Sequence, residues 1–207
     1  MLKKYFVVFS TAFLAFGILA ISVMRTASIK YDFSPNISKT TVLGSTNIDI
    51  DYELPYPGGV LPDHFLWPIK ALRDKLWLAI TTKESRKIEL KLLFADKRLG
   101  AAKILFDKGK PELGFSVLTK AEKYLEEASF DEEKNRRENG PEPEVLKKLN
   151  IGSLKHFELL MEIINMAPDD AKPKIVELQS YPKRVYERTR NAMNENGITP
   201  AENPFEW

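Results

Sequence analysis

The chain has 207 residues, 43% hydrophobic and 29% charged, the composition of a folded domain and not of a disordered chain. Its 31 Lys and Arg are interspersed with 29 Asp and Glu for a net charge of +2, so the sequence lacks the segregated basic stretch of a nucleic-acid binder, and no nucleic-acid partner is expected. There is no cysteine, which excludes disulfides, thiolate metal ligands, a cysteine nucleophile and a Cys-borne lipid anchor.

Residues 1–4 carry Lys3 and Lys4 and precede an uncharged, apolar run from Tyr5 to Met24 that Arg25 closes. Twenty helical residues span about 30 Å, the thickness of a bilayer's hydrocarbon core, so residues 5–24 are expected to be a single-pass transmembrane anchor. Residues 1–4 are then a cytoplasmic tip and the remainder lies outside the cytoplasm, at the cell membrane. The competing reading is a signal peptide cut near Ala20 and Ser22 or near Thr26 and Ser28, which leaves a secreted domain.

Residues 25–55 read as an extracytoplasmic linker. The stretch from Lys30 to Gly59 is rich in Ser, Thr, Asn, Pro and Gly and, fully extended, could reach about 90 Å. Within it Ile48, Ile50, Tyr52 and Leu54 alternate with polar residues as a strand would. A lone strand is marginal, so an extended segment lying on the following domain is the expectation.

From residue 56 to 196 the period becomes helical, and an all-α antiparallel bundle or array of about five helices is predicted. The first spans Pro68 to Thr81, with Leu72, Leu76 and Ile80 on one face and Trp77 beside it. The second, Lys83 to Lys108, has Ile88, Leu92, Ala95, Leu99, Ala102 and Phe106 at alternating spacings of four and three, a bundle seam, and Gly109 and Pro111 stop it. The third carries Gly114, Val117, Ala121, Leu125 and Ala128 and ends at Gly140-Pro141. The fourth, Pro143 to Met166, has Leu146, Leu149, Ser153, Phe157, Leu160 and Ile164 in register. The fifth starts near Asp169 and Asp170, where carboxylates suit a helix's positive end, and Pro182 should kink or split it. Residues 197–207 form a flexible tail whose Phe205 and Trp207 could dock back.

The stretch Leu54-Pro55-Tyr56-Pro57-Gly58, followed by Leu61-Pro62-Asp63-His64-Phe65-Leu66-Trp67-Pro68-Ile69-Lys70, resembles the opening signature of a bacterial and archaeal family of extracytoplasmic helical domains, the domain of unknown function 5667. Ala95-Asp96-Lys97-Arg98-Leu99 is similar to that family's core helix. His156-Phe157-Glu158-Leu159-Leu160 and Ala167-Pro168-Asp169-Asp170 are similar to its later helical hairpin. Leu66-Trp67-Pro68-Ile69-Lys70 replaces the family's usual Leu-Tyr-Pro-Leu-Lys with residues of the same chemistry. The resemblance covers about residues 54 to 195. It implies an exported, usually membrane-attached helical domain, and no catalytic residues.

The inventory for chemistry is thin. His64 and His156 stand about ninety residues apart without a ligand motif, so no metal site is expected, and the reading of both is a hydrogen-bonded structural His. No phosphate loop or nucleophilic triad is present, so neither a cofactor nor an enzyme is expected. Asp63, Arg73, Asp96 and Arg98 stand among apolar residues, where burial would force them to pair; capping and interhelical ion pairs are the preferred reading. Tyr56, Phe65, Trp67 and Trp77 cluster around the first helix. A buried core corner is the expectation, whereas an exposed patch would mark a docking surface. The function expected is therefore a tethered, non-catalytic interaction module whose partner is another envelope protein or polymer, or a second copy. The alternative is an envelope sensor or enzyme with a carboxylate and Arg pocket at Asp96 and Arg98.

Overall fold

The computed structural model describes residues 10, 11, 50–205 and 207. The chain divides into two units, Met1–Tyr31 and Asp32–Trp207, and the second carries the fold below. Of residues 5–24, expected to be an anchor, only Ser10 and Thr11, both helical, are described; the rest lies outside the described residues, as does most of the expected linker at 25–55. Among the described residues no helix is long and apolar enough to cross a membrane.

The architecture is all-α. Among residues 50–205 six helices follow in order: α1 Trp67–Ile80, α2 Glu84–Asp107, α3 Pro111–Asn139, α4 Pro143–Met166, α5 Lys172–Leu178 and α6 Ser180–Glu195. None has a side-chain cap at its start. Instead α1, α3, α4 and α5 each place Pro in the first turn, where the missing donor has no helical acceptor to lose. Helix α2 ends in a Schellman motif: Gly109 at φ 68° donates to Phe106 O and Lys110 donates to Leu105 O, both at 2.9 Å. The same pairing recurs after α6, where Gly197 donates to Asn194 O and Ile198 to Met193 O. Ile198 then packs on Met193, the apolar contact that accompanies this cap.

Helices α2, α3, α4 and α6 form the bundle. Ile88, Leu92 and Ala95 of α2, Leu125 and Ala128 of α3, Val145 and Leu149 of α4 and Val185 of α6 make one buried cluster. Helices α2 and α3 approach closely at Gly114, where a Cβ would come within 2.8 Å of the Phe106 ring.

The predicted fifth helix is two. Pro182 cannot donate to the Leu178 carbonyl four residues back and its ring would strike that group, and α5 ends at Leu178. Asp169 and Asp170 fall in the turn before α5, not in its first turn, and Asp169 pairs with Lys172 at 2.7 Å.

No strand occurs among the described residues; residues 50–60 form an extended strap instead. Ile50 donates its N–H to Glu158 Oε2 at 2.9 Å, and Lys155 Nζ donates to Ile50 O at 3.2 Å. The tail lies back on the domain, as its two aromatic residues allowed. Phe205 and Trp207 pack on Phe157, with ring centroids 4.7 and 5.1 Å away, and Tyr186 donates to Ala201 O. Ile50 and Phe205 belong to one buried cluster with Leu154, Phe157 and Tyr186.

Candidate functional site

Helix α1 departs from the pattern of the others. Among the helices it packs against α2 alone, and its only buried residue is the charged Asp74. Ile69, Leu72, Leu76 and Ile80 recur at helical spacing on the face opposite Asp74 and are 65%, 58%, 56% and 74% exposed. With Arg73 and Trp77 they line a shallow apolar groove. Tyr56, Phe65 and Leu66 are exposed as well. The expected buried aromatic corner is therefore not found. The reason is geometric: α1 turns toward α2 the side bearing Asp74, Ala71 and Leu78, which leaves its larger apolar side chains outward.

The helix is held by charge and loop contacts. Asp74 accepts two hydrogen bonds from Arg73 and lies 3.9 Å from the buried Arg98 guanidinium. Arg98 also donates to Phe94 O and stacks over Tyr124, 4.5 Å from its ring centre. Burial pushes this guanidinium down from its ordinary value, and Tyr124 and Asp74 oppose the shift. Lys70 donates to Pro57 O and Val60 O and sits over Trp67, tying α1 to the strap. Trp77 meets Phe94 edge-on at 6.4 Å. Asp63 pairs with Lys110 at 2.7 Å and with Lys108 at 3.8 Å, joining the turn before α1 to the turn between α2 and α3. The Lys110 hydrogen bond holds its carboxyl below the usual range.

Asp96 and Arg98 do not converge. Two residues apart on a helix, they point to different sides, and Asp96 enters a second cluster. There His156, fully buried, places Nδ1 2.9 Å from Glu122 Oε1 and Nε2 3.1 Å from Asp96 Oδ1. Asp96 Oδ2 accepts the Tyr52 hydroxyl at 2.7 Å. Facing a carboxylate at each ring nitrogen, the imidazole donates to both when it carries two protons. Burial opposes that charge, but the Glu122 charge and the hydrogen bonds to both carboxylates outweigh it and raise the pKa from 6.5 to about 9. Burial, then the Asp96 charge and hydrogen bond, raises the Tyr52 hydroxyl well above its ordinary value. Glu122 Oε2 is buried and accepts no hydrogen bond.

The two carboxylates meet opposite ring nitrogens and so share no point where an ion could bind. No metal-holding group of three ligands occurs among the described residues. Closed to solvent, the cluster suits fixing the register of α2, α3, α4 and the strap more than turning over a substrate. His64, by contrast, is a surface residue whose Nδ1 accepts from Leu66 N at 3.1 Å.

Of the sequence candidates, Arg73 and Arg98 meet at Asp74, with Trp77 beside them through Phe94; Asp63, Trp67 and Asp96 lie elsewhere. Asp74, Glu122 and Tyr52 were not singled out. A readable signal existed for Glu122, an acid one position beyond the seam residue Ala121 and four beyond the buried Leu118. Tyr52 carried none, because its partner is 44 residues away.

A family model matches the chain over residues 59–170, the one described as Domain of unknown function (DUF5667). The matched span, more than half the chain, holds α1 to α4 and with them Asp74, Arg98, Asp96, Glu122 and His156, but not Tyr52 or α6. No curated protein and no solved structure matches the chain significantly.

Proposed function

We propose, for a chain that belongs to the family described as Domain of unknown function (DUF5667), a non-catalytic interaction module: a helical bundle tethered outside the cytoplasm that binds an envelope component through α1. The observation that carries this reading is the exposed apolar face of α1, Ile69, Leu72, Leu76 and Ile80. Full burial of such a side chain is worth about 1.5–3 kcal/mol, and the described fold leaves more than half of the surface of each unburied. The tether is the uncharged run 5–24, long enough to cross a bilayer once, with cleavage and secretion as the other outcome for that run. A ligand pocket built on Asp96 and Arg98 has less support, because the two side chains belong to separate, closed clusters.

The test is a photo-crosslinking residue placed at Leu72 or Ile80 of the full chain in intact envelopes, with Val176 of α5 as control. Adducts formed from both α1 positions and not from Val176 are expected. If the α1 positions form none, the helix face is bare in the envelope and the reading falls.

A further inference from the structure

Helix α1 differs from every other helix in its charges as well as its packing. Its one acid, Asp74, is turned inward and paired with Arg73 and Arg98, so the charges α1 itself shows to solvent are cationic, Arg73 and Lys75; past its end Lys83 is followed by the exposed Glu84, which pairs with Lys87. Further cations stand close by. Desolvation lowers the Lys70 ammonium; Asp74 opposes this, and repulsion from Arg73, Lys97 and Arg98 adds to it. Desolvation and then repulsion from Arg98 and Lys75 lower Lys120 in the same way. The sequence already favours cations here, with Lys70, Arg73, Lys75 and Lys83 against Asp74 between Asp63 and Glu84, and the fold sharpens the bias by burying Asp74.

An apolar face of Ile, Leu and Trp with an all-cationic solvent-facing charge set is what an anionic bilayer surface receives. The side chains enter the headgroup and acyl boundary while Arg and Lys stems reach the lipid phosphates. A second copy fits less well. Two α1 faces would bring Arg73 and Lys75 against their own kind, with no exposed acid on the helix to meet them. A 14-residue helix about 21 Å long and about 10 Å wide also covers only about 200 Å², well short of the roughly 800 Å² per partner of a stable protein interface. We infer that α1 docks in the plane of a membrane surface containing anionic phospholipid, with Leu72, Leu76 and Ile80 inserted. This rests on α1 being the binding face.

The chain contains no cysteine, so a single Leu76→Cys substitution carries an environment-sensitive fluorophore uniquely in the full chain. Vesicles of phosphatidylcholine with and without phosphatidylglycerol, each containing nitroxide-labelled lipid, supply the quencher, and a label at Val176→Cys is the control. The expected result is quenching of the Leu76 label by about twofold or more in the anionic vesicles and little in the zwitterionic ones. Adding Lys75→Gln and Lys83→Gln should lower the partition constant onto the anionic vesicles by about fivefold per charge. Equal quenching in both lipids, or none in either, overturns the inference. With none, adducts from α1 in the envelope experiment to a protein, a second copy or residues 1–49 keep the interaction module and replace its partner. No adducts at all remove the module too.

Discussion

Asp74 of α1 and Arg98 of α2 face each other at 3.9 Å, both almost wholly buried, and theirs is the charged contact that fastens α1 to the bundle. Removing one partner of such a pair strands the other in a low-dielectric site. Asp74→Ala should therefore destabilise the protein by about 2–4 kcal/mol in urea unfolding. An Asp74→Leu and Arg98→Met double variant should recover part of that loss, because no charge is left unpaired. Equal midpoints for Asp74→Ala and the parent would show that α1 is held by other contacts.

The outward face of α1 predicts the opposite behaviour. Leu72→Ser, Leu76→Ser and Ile80→Ser together remove three large apolar side chains, yet each was more than half exposed. Thermal unfolding of the triple variant should stay within about 0.5 kcal/mol per site of the parent. A loss typical of core truncation would mean that the helix is covered in solution.

The His156 centre makes stability fall in alkali. Its folded pKa of about 9 lies above the unfolded 6.5, so the stabilisation is fully present below pH 6.5 and is lost as pH rises through 9. The total is about 3 kcal/mol, most of it gone by pH 9. Tyr52, also raised, adds a loss of the same sign above pH 10. Urea titrations from pH 6 to 9 should show the decline, and His156→Gln should flatten it.

Gly114 and Phe106 supply a packing test. A methyl group on Gly114 would overlap the Phe106 ring, which is buried and cannot swing clear. Gly114→Ala gains about 1 kcal/mol of helix propensity, but overpacking costs about 1–3 kcal/mol, so a net loss is expected. Phe106→Leu in the same chain should relieve it, and a stabilised Gly114→Ala single variant would show that the helices can separate there.

Helix boundaries were legible because local signals set them. The seam of Ile88, Leu92, Ala95 and Leu99 fixed α2, Gly109 ended it, and Pro182 divided the last helix. The face α1 would bury was not legible. Leu72, Leu76 and Ile80 have the spacing of a core stripe, and only the three-dimensional neighbours show that Asp74 takes the inward position. The His156 centre was half visible: the histidine could be read as structural, but Glu122 and Tyr52 come to it from 34 residues away and, through Asp96, from the strap. Polar residues leave no periodic trace of which distant group satisfies them.

The strap also decides how mechanical load would enter the domain. Tension carried along the chain into Ile50 is borne first by the Glu158 and Lys155 bonds on α4 and by the Tyr52 bond to Asp96, all ahead of Lys70 and α1. These fastenings share the load before it reaches the first helix, and the C-terminal rings of Phe205 and Trp207 brace the same spot on α4. A pull on the chain ahead of Ile50 is thus taken up on α4 and α2, and α1 carries none of it until those bonds give way.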